Sequence, residues 1–288
     1  METELADFIS DLLGGDLIRR SDRTALGGGL ELDIYIPQLK LAVEFHGVYW
    51  HSEAAGRMRG HHAAKVAAAD AAGIQLIQVW EDDWLDRRPA VASMLAHKLG
   101  ASTQRRVPAR NTVVDGTVAR VDAEAFCNTH HIQGFRTGSI YSGLRDRTGT
   151  LVAVAIWRRN GSDLILDRYC TSVVVPGGMG KLIAWADRTL DGWATMVTFA
   201  DLQVSGGGLY ERTGWTADGT VPPDYRYVVG RRRAHKFNYR LARFQSDPKL
   251  VYREGMTERE LAKLNGLIRV WDSGKVRYVR HRPASRPA

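Results

Sequence analysis

The sequence predicts an α/β chain of two folded units followed by a basic carboxy-terminal region. Three observations carry that expectation. The chain has 288 residues, nearly twice the roughly 150 that suit a single domain. Stretches with strand period alternate with stretches of helical period, and a polar, aperiodic segment at 101–115 separates two such sets. With 44% hydrophobic and 25% charged residues, the composition is that of a globular protein with real cores.

Leu5, Phe8, Ile9, Leu12 and Leu13 share one face of a short helix stopped by Gly14-Gly15. After Gly27-Gly28-Gly29, residues 30–37 alternate Leu30, Leu32, Ile34 and Ile36 against Glu31, Asp33 and Tyr35. Residues 39–45 repeat that strand composition, so a hairpin is expected. The Ala-rich stretch 61–72 reads as a helix stopped by Gly73, and 74–80 as a short apolar strand. A closing helix to about Leu99 completes an α-β-β-α-β unit over 1–100. Beyond a linker at 101–115, strands at 140–144, 151–158 and 164–169 and a helix at 181–190 outline an α+β domain over 116–229. Residues 230–288 form the basic region. Within it a capping box, Thr257-Glu258-Arg259-Glu260, opens a short helix, and 268–279 reads as a small hairpin. The tail after Arg280 is polar and Pro-rich, as disordered ends are.

Lys and Arg number 40 against 32 Asp and Glu, a net charge of +8 that favours polyanionic partners, double-stranded DNA first. Cys127 and Cys170 are too few for a disulfide framework or a thiolate zinc site. The acidic start, and the lack of an apolar run near the ~18 residues of a membrane span, point to a cytoplasmic protein without a membrane partner.

Asp33 shares a strand face with Glu31 and Tyr35, and Glu44 lies on the next strand, so two carboxylates converge at one sheet edge. A hard cation, Mg2+ or Mn2+, binds such an oxygen pair together with a phosphodiester and a water. His46, two residues beyond Glu44, shares its face, and His51 follows in Tyr49-Trp50-His51; either suits proton transfer. The same spacing fits a plainer arrangement of an exposed Asp33, a Glu44–His46 pair and a loop His51.

The runs Leu32-Asp33-Ile34-Tyr35-Ile36-Pro37 and Lys40 through His51, then His62 through Lys65 and Gly73 through Trp84, occur in an order that resembles a known active-site core. It is that of the very-short-patch-repair-like (Vsr-like) endonucleases, including phage-type homing endonucleases of the EDxHD group within the PD-(D/E)xK class. The resemblance spans about the first third of the chain. It implies a Vsr-like nuclease domain in which Asp33 is the central metal ligand and Glu44 the second acidic position. His46 stands where the broader class has lysine, and His51 would move protons. Glu2 matches the opening acidic position, with Glu4 a close competitor; His62 and Lys65 would face the scissile phosphate. Asp82 matches the last acidic position, beside Glu81 and Asp83.

Farther on, the order of 151–157, 164–175, Gly177-Gly178-Met179-Gly180, its helix and Tyr210 through Trp215 resembles the GCN5-related acetyltransferase superfold. Glycines before a helix expose N–H groups that can cradle a pyrophosphate. Val175 stands where that family starts its loop with Arg or Gln, which favours a scaffold or DNA-positioning role. In the basic region, Arg231, Arg232, Arg233, Lys236, Arg240 and Arg243 are the candidate phosphate contacts, interleaved with Tyr225, Tyr227, Phe237, Tyr239, Phe244 and Tyr252. Together these features predict a metal-dependent endonuclease for double-stranded DNA, of phage or mobile-element type. The alternatives are a DNA-modifying acyl or group transferase with a nuclease-like accessory domain, and a catalytically inactive DNA-binding protein.

Overall fold

The computed structural model describes residues 1–15 and 17–282. It is a mixed α/β structure whose chain divides into two compact units. One unit is built from Met1–Asp86, Asp201–Ser205 and Val221–Lys275; the other takes Arg87–Ala200, Gly206–Thr220 and the stretch that begins at Val276. This division differs from contiguous segments at 1–100, 116–229 and 230–288. No helix of the described residues is long and apolar enough to cross a membrane.

The first unit opens with α1 (Glu2–Leu13), which buries Leu5, Ala6 and Ile9. Gly14 ends it in the left-handed conformation (φ 74°), where its N–H reaches the Ser10 and Asp11 carbonyls; glycine takes that φ without a Cβ penalty. Next come β1 (Arg19–Asp22), β2 (Leu32–Ile36) and β3 (Leu41–His46). Strand β2 alternates buried Leu32, Ile34 and Ile36 with half-buried Asp33 and Tyr35, as its period-2 pattern demands. Helix α2 (His61–Ala71) then crosses to β4 (Gln75–Trp80), which runs parallel to β3 from Leu41 opposite Gln75 to His46 opposite Trp80. Strand β3 is buried throughout because β2, antiparallel, and β4, parallel, flank it. The four-stranded order is β1-β2-β3-β4, with a core of Leu32, Ala42, Ala69, Ile74 and Leu76. The expected closing helix is two: α3 (Glu81–Asp86) and then α4 (Arg88–Lys98), which begins the second unit.

In that unit the segment expected as a linker is joined to the sheet. Val107 N–H donates to the Val174 carbonyl, Val174 N–H to that of Arg105, and Val107 and Ala109 are buried. Strand β5 (Val113–Asp115), α5 (Arg120–His130), β6 (Ile140–Arg145), β7 (Leu151–Asn160), β8 (Asp163–Thr171), α6 (Gly178–Thr189), β9 (Thr195–Asp201), α7 (Gly208–Glu211) and β10 (Thr216–Val221) follow. Their sheet has seven strands in the order β10-β14-β9-β8-β7-β6-β5, where β14 is Lys275–His281. The large core includes Trp157, Leu166, Met179, Leu182, Ile183, Met196, Trp215 and Tyr278.

Back in the first unit, β11 (Tyr225–Val229) is the middle of a three-stranded sheet between β12 (Arg232–His235) and β13 (Ile268–Trp271). Helices α8 (Leu241–Ser246) and α9 (Glu258–Leu264) cover it, and the Thr257/Glu260 capping box forms as its sequence signature predicts. The hairpin expected at 268–279 does not form, since β13 and β14 join different sheets. Residues 230–275 are no free arm: Glu53 accepts from Trp271 Nε1 (2.8 Å) and pairs with Arg269, while Val270 packs with Val48 and Trp80. Of the tail expected to be disordered, 283–288 lie outside the described residues.

Candidate functional sites

In the first unit the β2–β3 ladder runs from Ile36 opposite Leu41 to Ile34 opposite Val43 and is then continued by side chains. The Glu44 carboxylate accepts from the Asp33 N–H (3.2 Å), and the Asp33 carboxylate accepts from the Phe45 N–H (2.8 Å). The two carboxylates are therefore neighbours. Burial, then the Glu44 charge, pushes the Asp33 carboxyl up to about 7. Burial likewise pushes Glu44 up, opposed by the Lys65 ammonium, which donates to its other oxygen. Glu2 lies close enough to add to the upward push on Asp33, whereas Asp82 is paired with Arg233.

The three histidines form a second cluster. His46 at the end of β3 stacks on His51 (ring centroids 4.0 Å) and sits 4.5 Å from His62 in the first turn of α2. The Trp80 ring stands edge-on to His46 at 4.7 Å. Burial, followed by the neighbouring imidazoles, holds His46 well below its usual range. Burial first and then His62 bring His51 down to about 3; burial first and then His61 bring His62 to about 4. All three rings are neutral at neutral pH.

The basic region is used inside its own unit. Arg231 pairs with Glu81, Arg232 with Asp86, Arg233 with both Asp82 and Asp83, Lys236 with Asp224, and Arg243 with Asp247. The Arg233 side chain is 5% exposed and lies over the Trp80 ring at 4.5 Å. Arg240 stacks on Phe237 at 4.1 Å. Five of the six cations expected on phosphates thus have carboxylate partners, and for Arg231, Arg232 and Arg233 those partners are the acidic residues of α3. Sequence spacing cannot show the three pairs with α3, since those partners are some 150 positions apart.

In the second unit β8 and β9 run parallel, paired only from Asp163 opposite Thr195 to Ile165 opposite Val197. Just beyond, the Thr198 hydroxyl donates to the Leu166 carbonyl (3.0 Å) in place of a ladder bond. Gly177 (φ 78°) then turns the chain into the twelve-residue α6. Gly180, in its first turn, faces open space, while a Cβ at Gly178 would meet the Tyr169 hydroxyl at 2.6 Å. Lys181 Nζ is taken up by the Ala109 and Thr112 carbonyls. Cys127 and Cys170, which look isolated in sequence, lie side by side with sulfurs 3.8 Å apart; their separation of 43 positions gives no local signal.

No protein-family model matches the sequence, and no curated protein matches it. Solved structures to which the chain is similar include acetyltransferases. A GNAT family acetyltransferase from Elizabethkingia anophelis with acetyl-CoA bound is 11% identical, with 59% of this chain and 98% of that one covered at a TM-score of 0.31. The ribosomal-protein-S18-alanine N-acetyltransferase from Escherichia coli is also 11% identical, covering 61% and 96% at 0.36. Nourseothricin acetyltransferase is 12% identical, covering 60% and 85% at 0.28. At these scores the likeness carries no argument about substrate or acceptor.

These neighbours are transferases, which overturns the expectation of a phage or mobile-element homing endonuclease, an endodeoxyribonuclease with Mg2+ or Mn2+. The geometry gives a physical reason on the metal side. Three of the four oxygens of Asp33 and Glu44 are already engaged, by Phe45 N–H, Asp33 N–H and Lys65 Nζ.

Proposed function

We propose that the chain is an acyl-group transferase that takes its acyl group from a coenzyme A thioester held in the second unit. The observation that carries this reading is the opening between β8 and β9. Their parallel pairing stops after Ile165 and Val197, although β8 continues to Thr171 and β9 to Asp201. Parted parallel strands leave backbone N–H and C=O groups facing the gap, which an amide-bearing pantetheine arm would satisfy. The loop after β8 leads directly into the α6 N-terminus. There the helix dipole and first-turn N–H groups favour an anion such as a pyrophosphate, and Gly180 leaves room for one. Val175, where a basic or amide side chain would help, is buried, so the backbone would carry most of that contact.

Such a site would position the thioester carbonyl for attack by an acceptor nucleophile, with the coenzyme thiolate as leaving group. Binding tests it directly. Acetyl-CoA should raise the melting temperature of the full chain and titrate with one site per chain. Gly180→Glu puts a negative charge where the phosphates would lie and should weaken that binding at least about tenfold at nearly unchanged melting temperature. A wild-type chain that shows neither a shift nor a heat of binding would rule the reading out.

A further inference from the structure

We propose that His46, His51 and His62 form a binding site for a borderline divalent transition metal, with Zn2+ as the natural occupant. The inference concerns the first unit alone and is independent of acyl transfer. One ring nitrogen from each histidine lies within 4.8 Å of one from each of the others. Their positions follow from the fold. His46 ends β3, His51 lies in the turn after it, and α2 brings in His62 as the helix crosses toward β4.

Two further facts separate this cluster from three packed aromatic rings. The Nδ1 atoms of His46 and His51 are buried without a hydrogen-bond partner, and a buried nitrogen left in that state is a standing cost that a metal ion would remove. The third ring is oriented by a backbone group: His62 Nε2 stands 3.4 Å from the His51 carbonyl. A ring that donates from Nε2 keeps its lone pair on Nδ1, the outer-sphere arrangement that orients metal-bound histidines.

The chemistry selects the ion. Three imidazoles and no carboxylate suit Zn2+, Co2+, Ni2+ or Cu2+ and are poor ligands for Mg2+ or Ca2+. Nitrogens at about 2.0–2.1 Å from a tetrahedral zinc stand roughly 3.3 Å apart, so ring rotations that draw the three together would close the site. Three protein ligands leave a fourth position for water, the arrangement of an open rather than a closed zinc site.

The test uses the full chain, stripped with EDTA, desalted and titrated with Zn2+ and separately with Co2+. Expected are uptake of one ion per chain, a raised melting temperature with Zn2+, and the intense visible bands of tetrahedral Co2+. Loss of an outer-sphere partner alone costs about 10–100-fold in metal affinity, so His51→Gln or His62→Gln should cost at least that much. His61→Gln, on the adjacent ring, should leave affinity unchanged. If a buried variant fails to fold, the half-buried His51→Gln and the wild-type Co2+ spectrum still decide. A wild-type chain that takes up neither ion overturns the proposal, as does uptake that survives both His51→Gln and His62→Gln or is lost in His61→Gln.

Discussion

Asp33 shows how one residue's setting becomes a property of the whole chain. Its carboxyl titrates near 7 in the fold, against 3.8 for the free side chain. Between those values the folded state holds more protons than the unfolded one, so this group's contribution to stability falls as pH rises from about 4 to 7 and stays lost above. Asn at this position keeps an oxygen for the Phe45 N–H and carries no charge. Asp33→Asn should therefore be more stable than wild type at pH 8, by about 2 kcal/mol, and equal to it near pH 4; urea unfolding at the two pH values measures both. Gly207 is a steric counterpart in the second unit. It sits at φ 100°, and a Cβ there would fall 2.2–2.4 Å from the buried Tyr278 ring, whose hydroxyl donates to the Gly206 carbonyl (2.9 Å). Gly207→Ala should cost about 3 kcal/mol, strain and overpacking together, read as a lowered denaturation midpoint.

At the scale of elements, the pairing of β12 with α3 shows why a basic stretch is not by itself a nucleic-acid footprint. Arg233 donates to Asp82 and Asp83 while buried, whereas Arg231 and Arg232 make their pairs with side chains 65% and 72% exposed. Removing a buried partner leaves two uncompensated carboxylates, whereas a solvent-facing pair is worth little. Arg233→Ala should thus cost about 3–5 kcal/mol, and Arg232→Ala less than about 1 kcal/mol. Equal effects in thermal unfolding would show that the buried pair is not what joins these elements. The same elements explain what was legible in sequence. Helix α1, the β2–β3 hairpin, α2 and β4 are each marked by local period or composition and a local stop; Leu5 and Ile9 of α1 and Leu32, Ile34 and Ile36 of β2 are buried on the faces read from the sequence. Strand β13 carries the same local marks, yet its hydrogen bonds go to β11 rather than to β14, because the edge it completes belongs to another part of the chain.

For the whole molecule, the consequence is that the carboxy-terminal quarter cannot be removed as an appendage. Residues 221–275 supply the three-stranded sheet and the Tyr227, Phe244, Leu261 and Ala262 core of the first unit, and β14 lies inside the seven-stranded sheet of the second. A chain ending at Pro223 should lose cooperative unfolding and aggregate; a soluble fragment with a sharp thermal transition would contradict that.

Interactions that close within a few residues are readable along the chain: helix faces, strand alternation, glycine stops, the Thr257/Glu260 cap and the convergence of Asp33 with Glu44 across one hairpin. The sequence also placed a glycine turn before α6, on which the proposed thioester site rests. Where charges and rings separated by tens or hundreds of positions meet depends instead on the folded arrangement. It set Arg233 on Asp82, gathered His46, His51 and His62, brought Cys127 beside Cys170 and parted β8 from β9. Local backbone geometry depends on neighbours in the chain, whereas desolvation, ion pairing and the spacing of side-chain clusters depend on which elements pack together.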